Sequence, residues 1–83
     1  MNKVMISVYD SKGEFYSNPI CCKSKGEAVR SFEDEVNDPK SPIFKHPEDY
    51  TLFAIGEFDD SNCCFAMYES KVSLGLAVEF KRE

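Results

Sequence analysis

The sequence predicts an α+β fold, with one amphipathic helix packed on a small antiparallel sheet of about four to five strands. Three observations lead there. Apolar residues alternate with others over 4–9, 50–58 and 72–80, the period of a strand. Between residues 24 and 37 the apolar positions instead fall in one stripe at helical spacing. With 83 residues, 42% hydrophobic and 30% charged, the chain has a folded composition and the length of a single domain, 1–83.

Val4 to Tyr9 reads as the first strand, Val4, Ile6 and Val8 alternating with Met5, Ser7 and Tyr9. Asp10-Ser11-Lys12-Gly13 reads as a turn, with Gly13 expected to supply a positive φ. Glu14 to Ser17 returns as a short strand bringing Phe15 and Tyr16 beside the first, and Asn18-Pro19 ends it. Ile20-Cys21-Cys22 is a brief apolar stretch. Ser24-Lys25-Gly26-Glu27 then matches a capping box and predicts a helix to about Asn37. Ala28, Val29, Phe32 and Val36 form its apolar stripe, with Arg30, Asp34 and Asn37 opposite in water. Asp38-Pro39 stops it, because proline cannot continue the hydrogen-bond ladder.

The stretch from Pro39 to Asp49 holds three prolines and reads as an ordered loop, with Ile43 and Phe44 tucked under the helix. Tyr50 to Phe58 is the clearest strand. Tyr50, Leu52, Ala54 and Phe58 are expected on one face, Phe53 and Ile55 on the other, with both faces buried and the strand central. Asp59-Asp60-Ser61-Asn62 reads as a hairpin loop, after which Cys63 to Tyr68 returns with Cys63, Phe65 and Met67 on one face. Val72, Leu74, Leu76, Val78 and Phe80 alternate with smaller or polar residues and predict a last strand.

Charge is unevenly spread. Ten basic and fifteen acidic residues give −5 overall, but residues 1–25 carry +2 and residues 26–64 carry −7. A polyanion therefore prefers the N-terminal quarter, where Coulomb attraction and counterion release favour phosphate. No apolar run approaches the ~18–20 residues that span a bilayer, and the N-terminus turns polar too soon for a signal peptide. The cysteines form two vicinal pairs, Cys21-Cys22 and Cys63-Cys64. Neighbours on a strand point to opposite faces, so at most one of each pair looks inward. Zinc sites normally separate paired cysteines by two to four residues, and packing is the favoured role.

Catalytic signals are sparse. His46 is the only histidine, lies in the proline-rich loop, and has only Glu48 and Asp49 near it in sequence. No phosphate loop, calcium loop, metal set or cofactor motif is present, and a non-enzymatic protein without cofactor is expected.

Tyr9-Asp10, then Ala28, Arg30 and Phe32, Asn37-Asp38-Pro39, His46-Pro47-Glu48-Asp49-Tyr50 and Gly56-Glu57-Phe58-Asp59 resemble the small nonstructural protein of gokushovirus-type microviruses, single-stranded DNA bacteriophages. The resemblance covers residues 4–60; the C-terminal third departs from it, and the cysteine pairs are not part of it. It implies a phage protein acting in the host bacterial cytoplasm by binding DNA, with a part in single-stranded genome synthesis or packaging and no catalytic residues.

Sites for single-stranded DNA combine cations with aromatic rings on which bases stack. The N-terminal hairpin and helix start have that composition, and Lys12, Tyr16, Lys23, Lys25 and Arg30 are the expected contacts. The competing reading is an acidic interaction module that docks on phage replication or capsid proteins, or on host proteins, without touching DNA. The apolar alternation at 72–80 is a candidate for pairing with a second copy or for docking on replication or capsid proteins, and a homodimer is expected, since small chains often make up a short core by oligomerising.

Overall fold

The computed structural model describes residues 2–82. Its five strands are β1 (Asn2–Asp10), β2 (Phe15–Tyr16), β3 (Ile20–Cys22), β4 (Tyr50–Asp59) and β5 (Cys64–Leu76). They form one antiparallel sheet in the order β2-β1-β4-β5, with β3 also on β1. The main helix, α1 (Lys25–Val36), packs on one face. The α+β architecture expected from the sequence is the one observed. No helix among the described residues is long and apolar enough to cross a membrane.

Local chemistry accounts for the element ends. Ser24 Oγ accepts the Glu27 amide at 3.1 Å, as the capping box requires. Glu27 Oε1 reaches back to the amide of Lys23 at 3.0 Å, one residue earlier than a standard box. Ala28, Phe32 and Val36 are buried as the stripe predicts. Asn37 is not left in water. Its side-chain amide donates to the carbonyls of Glu33 and Phe80, and its Oδ1 accepts from the amide of Arg82, fastening the C-terminus to the helix.

The two hairpin loops share one construction. Asp10 and Asp59 each accept, on the backbone carbonyl, the amide four residues on, from Glu14 at 2.7 Å and Cys63 at 2.8 Å. Each also turns a carboxylate oxygen onto loop donors: Lys12 and Gly13 for Asp10, Ser61 for Asp59. The left-handed residue in each loop is Glu14 or Cys63, both at φ 61°. The expectation for Gly13 is therefore corrected. Its glycine is needed for space, because a Cβ there would lie 2.4 Å from the ring of Phe15.

Residues 39–49 are more regular than expected. Ser41 caps a short helix, α2 (Pro42–Lys45), and a 3₁₀ turn follows at Pro47–Asp49. Ile43 is buried; Phe44 is half-buried under the Lys81 ammonium, 3.3 Å from its centroid. Ile6, Phe32, Val36, Ile43, Leu52 and Ala77 meet in the core beneath α1.

Two corrections fall on the C-terminal half. Ile6 stands opposite Ala54 and Met5 opposite Gly56, so Ile55 is an extra residue that reverses the alternation after it. Phe58 thus shares a face with Phe53, not with Leu52. The expected last strand is the second half of β5, which ends at Leu76; Ala77–Phe80 form a 3₁₀ turn. Leu74 has no partner on β4, and this irregularity with the 3₁₀ turn buries Ala77 while Val72, Leu76 and Val78 stay exposed.

Leu52 is completely buried at the centre of this core. Leu52→Ala is expected to lower stability by about 2–5 kcal/mol through lost burial and a residual cavity. Phe58→Ala, on the half-exposed far face, is expected to cost less; urea denaturation of the two variants checks the order.

Candidate functional site

A sheet covered by one helix has a second face, and here no helix packs against it. Register places Lys3, Met5, Ser7 and Tyr9 of β1 on this bare face with Tyr16 of β2 and Cys21 of β3. Thr51, Phe53, Gly56 and Phe58 of β4 join them, followed by Phe65, Met67, Ser73 and Leu76 of β5. None of these paired positions is a carboxylate, in a chain of net charge −5.

The aromatic side chains form two groups. Tyr9 and Tyr16 have ring centroids 4.6 Å apart, and Tyr16 meets Phe53 edge-on at 6.0 Å. The Lys71 ammonium lies 5.3 Å from the centroid of Tyr16. Further along, Phe58 and Phe65 approach to 4.9 Å. Phe65 and Met67 are 60% and 59% exposed, large for apolar side chains on an ordered strand. Gly56 lets Met67 lie close, since a Cβ there would stand 3.2 Å from the Met67 sulfur and 2.7 Å from the Ala66 carbonyl oxygen.

Tyr16 reaches this face because Ser17 anchors the end of β2. Its Oγ accepts the amide of Val8 at 2.9 Å, and its carbonyl accepts from the buried Ser7 hydroxyl at 2.8 Å. The other four expected contacts lie elsewhere. Lys12 is in the turn beyond Asp10, whereas Lys23 and Lys25 follow Cys22, which stands opposite Val4. Val4 and Asp10 are roughly 20 Å apart along β1 at ~3.3 Å per residue, so these lysines occupy opposite ends of the strand. Arg30 is exposed on the outer side of α1. Only Tyr16 of the five is on the bare face, where Phe53, Phe58, Phe65 and Lys71 were not anticipated. Alternation in residues 4–9 and 50–54 already contained half of this face; the shift at Ile55 concealed the rest.

Two other features flank the sheet. His46, Glu48 and Asp49 bring ligand-type atoms within 4.8 Å of one another, the one such cluster among the described residues; His46 and Glu48 are exposed. Under α1, an apolar groove of about 460 Å³ runs between the helix and the β1 edge, lined by Ile6, Phe15, Ile20, Phe32, Ile43 and Tyr50. Burial, then the adjacent Asp10 carboxylate, raises the Tyr50 phenol above its ordinary pKa. At the end of β4, hydrogen bonds from Ser61 hold the half-buried Asp59 carboxyl below the usual range.

Among known proteins, a family model described as Phage ORF5 protein matches residues 3–80. No curated protein and no solved structure matches the chain.

The cysteines offer a chemical check on the geometry. Cys22 is buried, and burial, then Glu27 and Cys21, raise its thiol pKa, while Cys21, Cys63 and Cys64 are exposed. Because the thiolate is the reactive form, a disulfide reagent at neutral pH is expected to titrate three thiols quickly and Cys22 slowly. In urea all four should react together, and four equal rates in the native protein would contradict the packing of β3.

Proposed function

Because the chain belongs to the phage ORF5 protein family, we propose that it is a non-enzymatic binding protein that contacts single-stranded DNA through the bare face of its sheet. Within the infected bacterium it assists single-stranded genome synthesis or packaging. The observation that carries this reading is the row Tyr9–Tyr16–Phe53 with Lys71 above it, on a face whose paired positions hold no carboxylate. Bases stack on aromatic rings regardless of sequence, and cations beside the rings hold the phosphates.

The acidic middle of the chain does not oppose this. Glu27, Glu33, Asp34, Glu35 and Asp38 belong to α1 and the turn after it, on the other side of the sheet. Glu57 and Asp59 share the register of Val4 and Asn2, also on the helix side. Most of the repulsion of phosphate is thereby moved off the binding face, and the Asp60 carboxylate, 4.0 Å from the Lys3 ammonium, is paired with a cation. The same segregation supports a second contact, in which the acidic outer surface of α1 meets a basic replication or capsid protein. Arg82 already samples that surface, 3.5 Å from Glu33 and 3.6 Å from Asp34.

Anisotropy of a labelled oligothymidylate tests the DNA contact. Affinity is expected to fall steeply with salt, with a log–log slope of about −0.7 per phosphate neutralised. Tyr16→Ala and Phe53→Ala are each expected to weaken binding about tenfold, since a stacked base is worth ~1–3 kcal/mol. Lys23→Glu with Lys25→Glu is expected to change little; a larger loss there than at Tyr16 would move the site to the helix start. No shift with micromolar protein at low salt would exclude direct DNA binding and leave the acidic contact.

A further inference from the structure

α1 does not close over the outer edge of β1, and the gap is the apolar groove of about 460 Å³, within the ~300–1,000 Å³ of ordinary ligand clefts. Ala28 and Ser31 line it from α1 with short side chains, which leave the space open. Phe15 and Ile20 form its outer wall and are 58% and 60% exposed. Two carboxylates, Asp10 and Glu35, also line it, and no lysine or arginine does. Glu35 is exposed and takes no ion pair among the described residues, unlike Glu33 and Asp34, which share Arg82. At its Asp10 end the groove adjoins a smaller hollow lined by Glu48, Asp49 and Lys12.

We infer that this groove takes the apolar face of a basic amphipathic helix on a protein partner. Charge complementarity selects the flanks. An apolar floor between carboxylates suits leucine-sized anchors beside lysine or arginine, and the same carboxylates repel the phosphates of a nucleic acid. The backbone selects a helix over a strand. β1 pairs with β3 through residues 4–6 and with β2 through Tyr9 and Asp10. Between them Val8 donates its amide to Ser17 Oγ and accepts the Ser17 amide on its carbonyl. No run of free backbone groups is left on that side of β1 for strand addition. Recognition therefore falls to side chains, which a helix presents in a row at i, i+3, i+4 and i+7.

The anchor rests on the acidic contact proposed above and gives the basic replication or capsid protein a fixed seat; it is independent of the DNA contact. The groove is on the helix side of the sheet and the aromatic rings are on the other. A partner helix and a DNA strand can therefore be held at once without competing for surface.

Anisotropy of a labelled peptide, with leucines at helix-face spacing and lysines elsewhere, tests it without DNA. The wild type is expected to bind it at micromolar concentration, and to ignore the same peptide with glutamate in place of lysine. Ile20→Ala removes part of the wall and Ser31→Phe fills the space; each is expected to weaken binding roughly tenfold, about the worth of one lost aliphatic contact. Glu35→Lys is expected to weaken it as much and to flatten its salt dependence. Phe65→Ala, on the bare face, is expected to change nothing. Ile20, Ser31 and Glu35 are all exposed, so circular dichroism should show each variant folded. A wild type that does not bind overturns the inference, as does a loss at Phe65→Ala in place of Ile20→Ala, which puts the peptide on the bare face. If Glu33→Lys with Asp34→Lys weakens binding while Ile20→Ala and Ser31→Phe do not, the acidic contact stands and the groove does not. Equal binding of the glutamate peptide removes both.

Discussion

With twelve residues, α1 can bury one face of a five-stranded sheet and no more, and most other features of the molecule follow from that shortage. The largest fully buried side chains among the described residues, Leu52 and Val36, lie between α1 and the sheet. The far face has to manage with what the strands carry. Met5 and Ser7 are buried there by neighbouring side chains, and Ser7 is satisfied by Ser17. The remainder is a half-exposed aromatic surface, an unusual amount of apolar area for so small a chain to leave in water, and the kind that marks an interaction site.

Charge follows the same division. Desolvating a carboxylate against aromatic rings is costly, and the strands put none on the paired positions of the bare face. The helix, which needs polar residues outward to stay amphipathic, holds the acids in solvent instead. A net charge of −5 thus coexists with a face whose paired positions carry no acid, because net charge describes the whole molecule and the local field depends on where the acids sit.

How much of this was legible depends on how local its cause is. The start of α1 was readable because Ser24 and Glu27 act across a single turn, and its buried stripe because helical periodicity needs no knowledge of the partner. The first strand and the central position of the fourth followed from alternation. Failures came where one residue departs from its period. Gly13 sits in a turn for room beside Phe15, with Glu14 taking the left-handed conformation; nothing in the tetrapeptide distinguishes the two. Ile55 reads as an ordinary strand residue, yet as an extra residue it turns Phe58 to the opposite face. The lysines looked like one patch because they are near in sequence, while β1 holds Lys12 and Lys23 at its two ends.

By itself, the sequence determined the fold class, the main helix with its caps, the core stripe and the separation of charge into segments, since each arises from periodicity or from contacts within a few residues. Only the tertiary structure decided which face is bare, which aromatic residues share it, and where the groove beside α1 runs. Those depend on strand order and register, set by hydrogen bonds between residues far apart in the chain, where one unpaired residue reverses every side chain that follows.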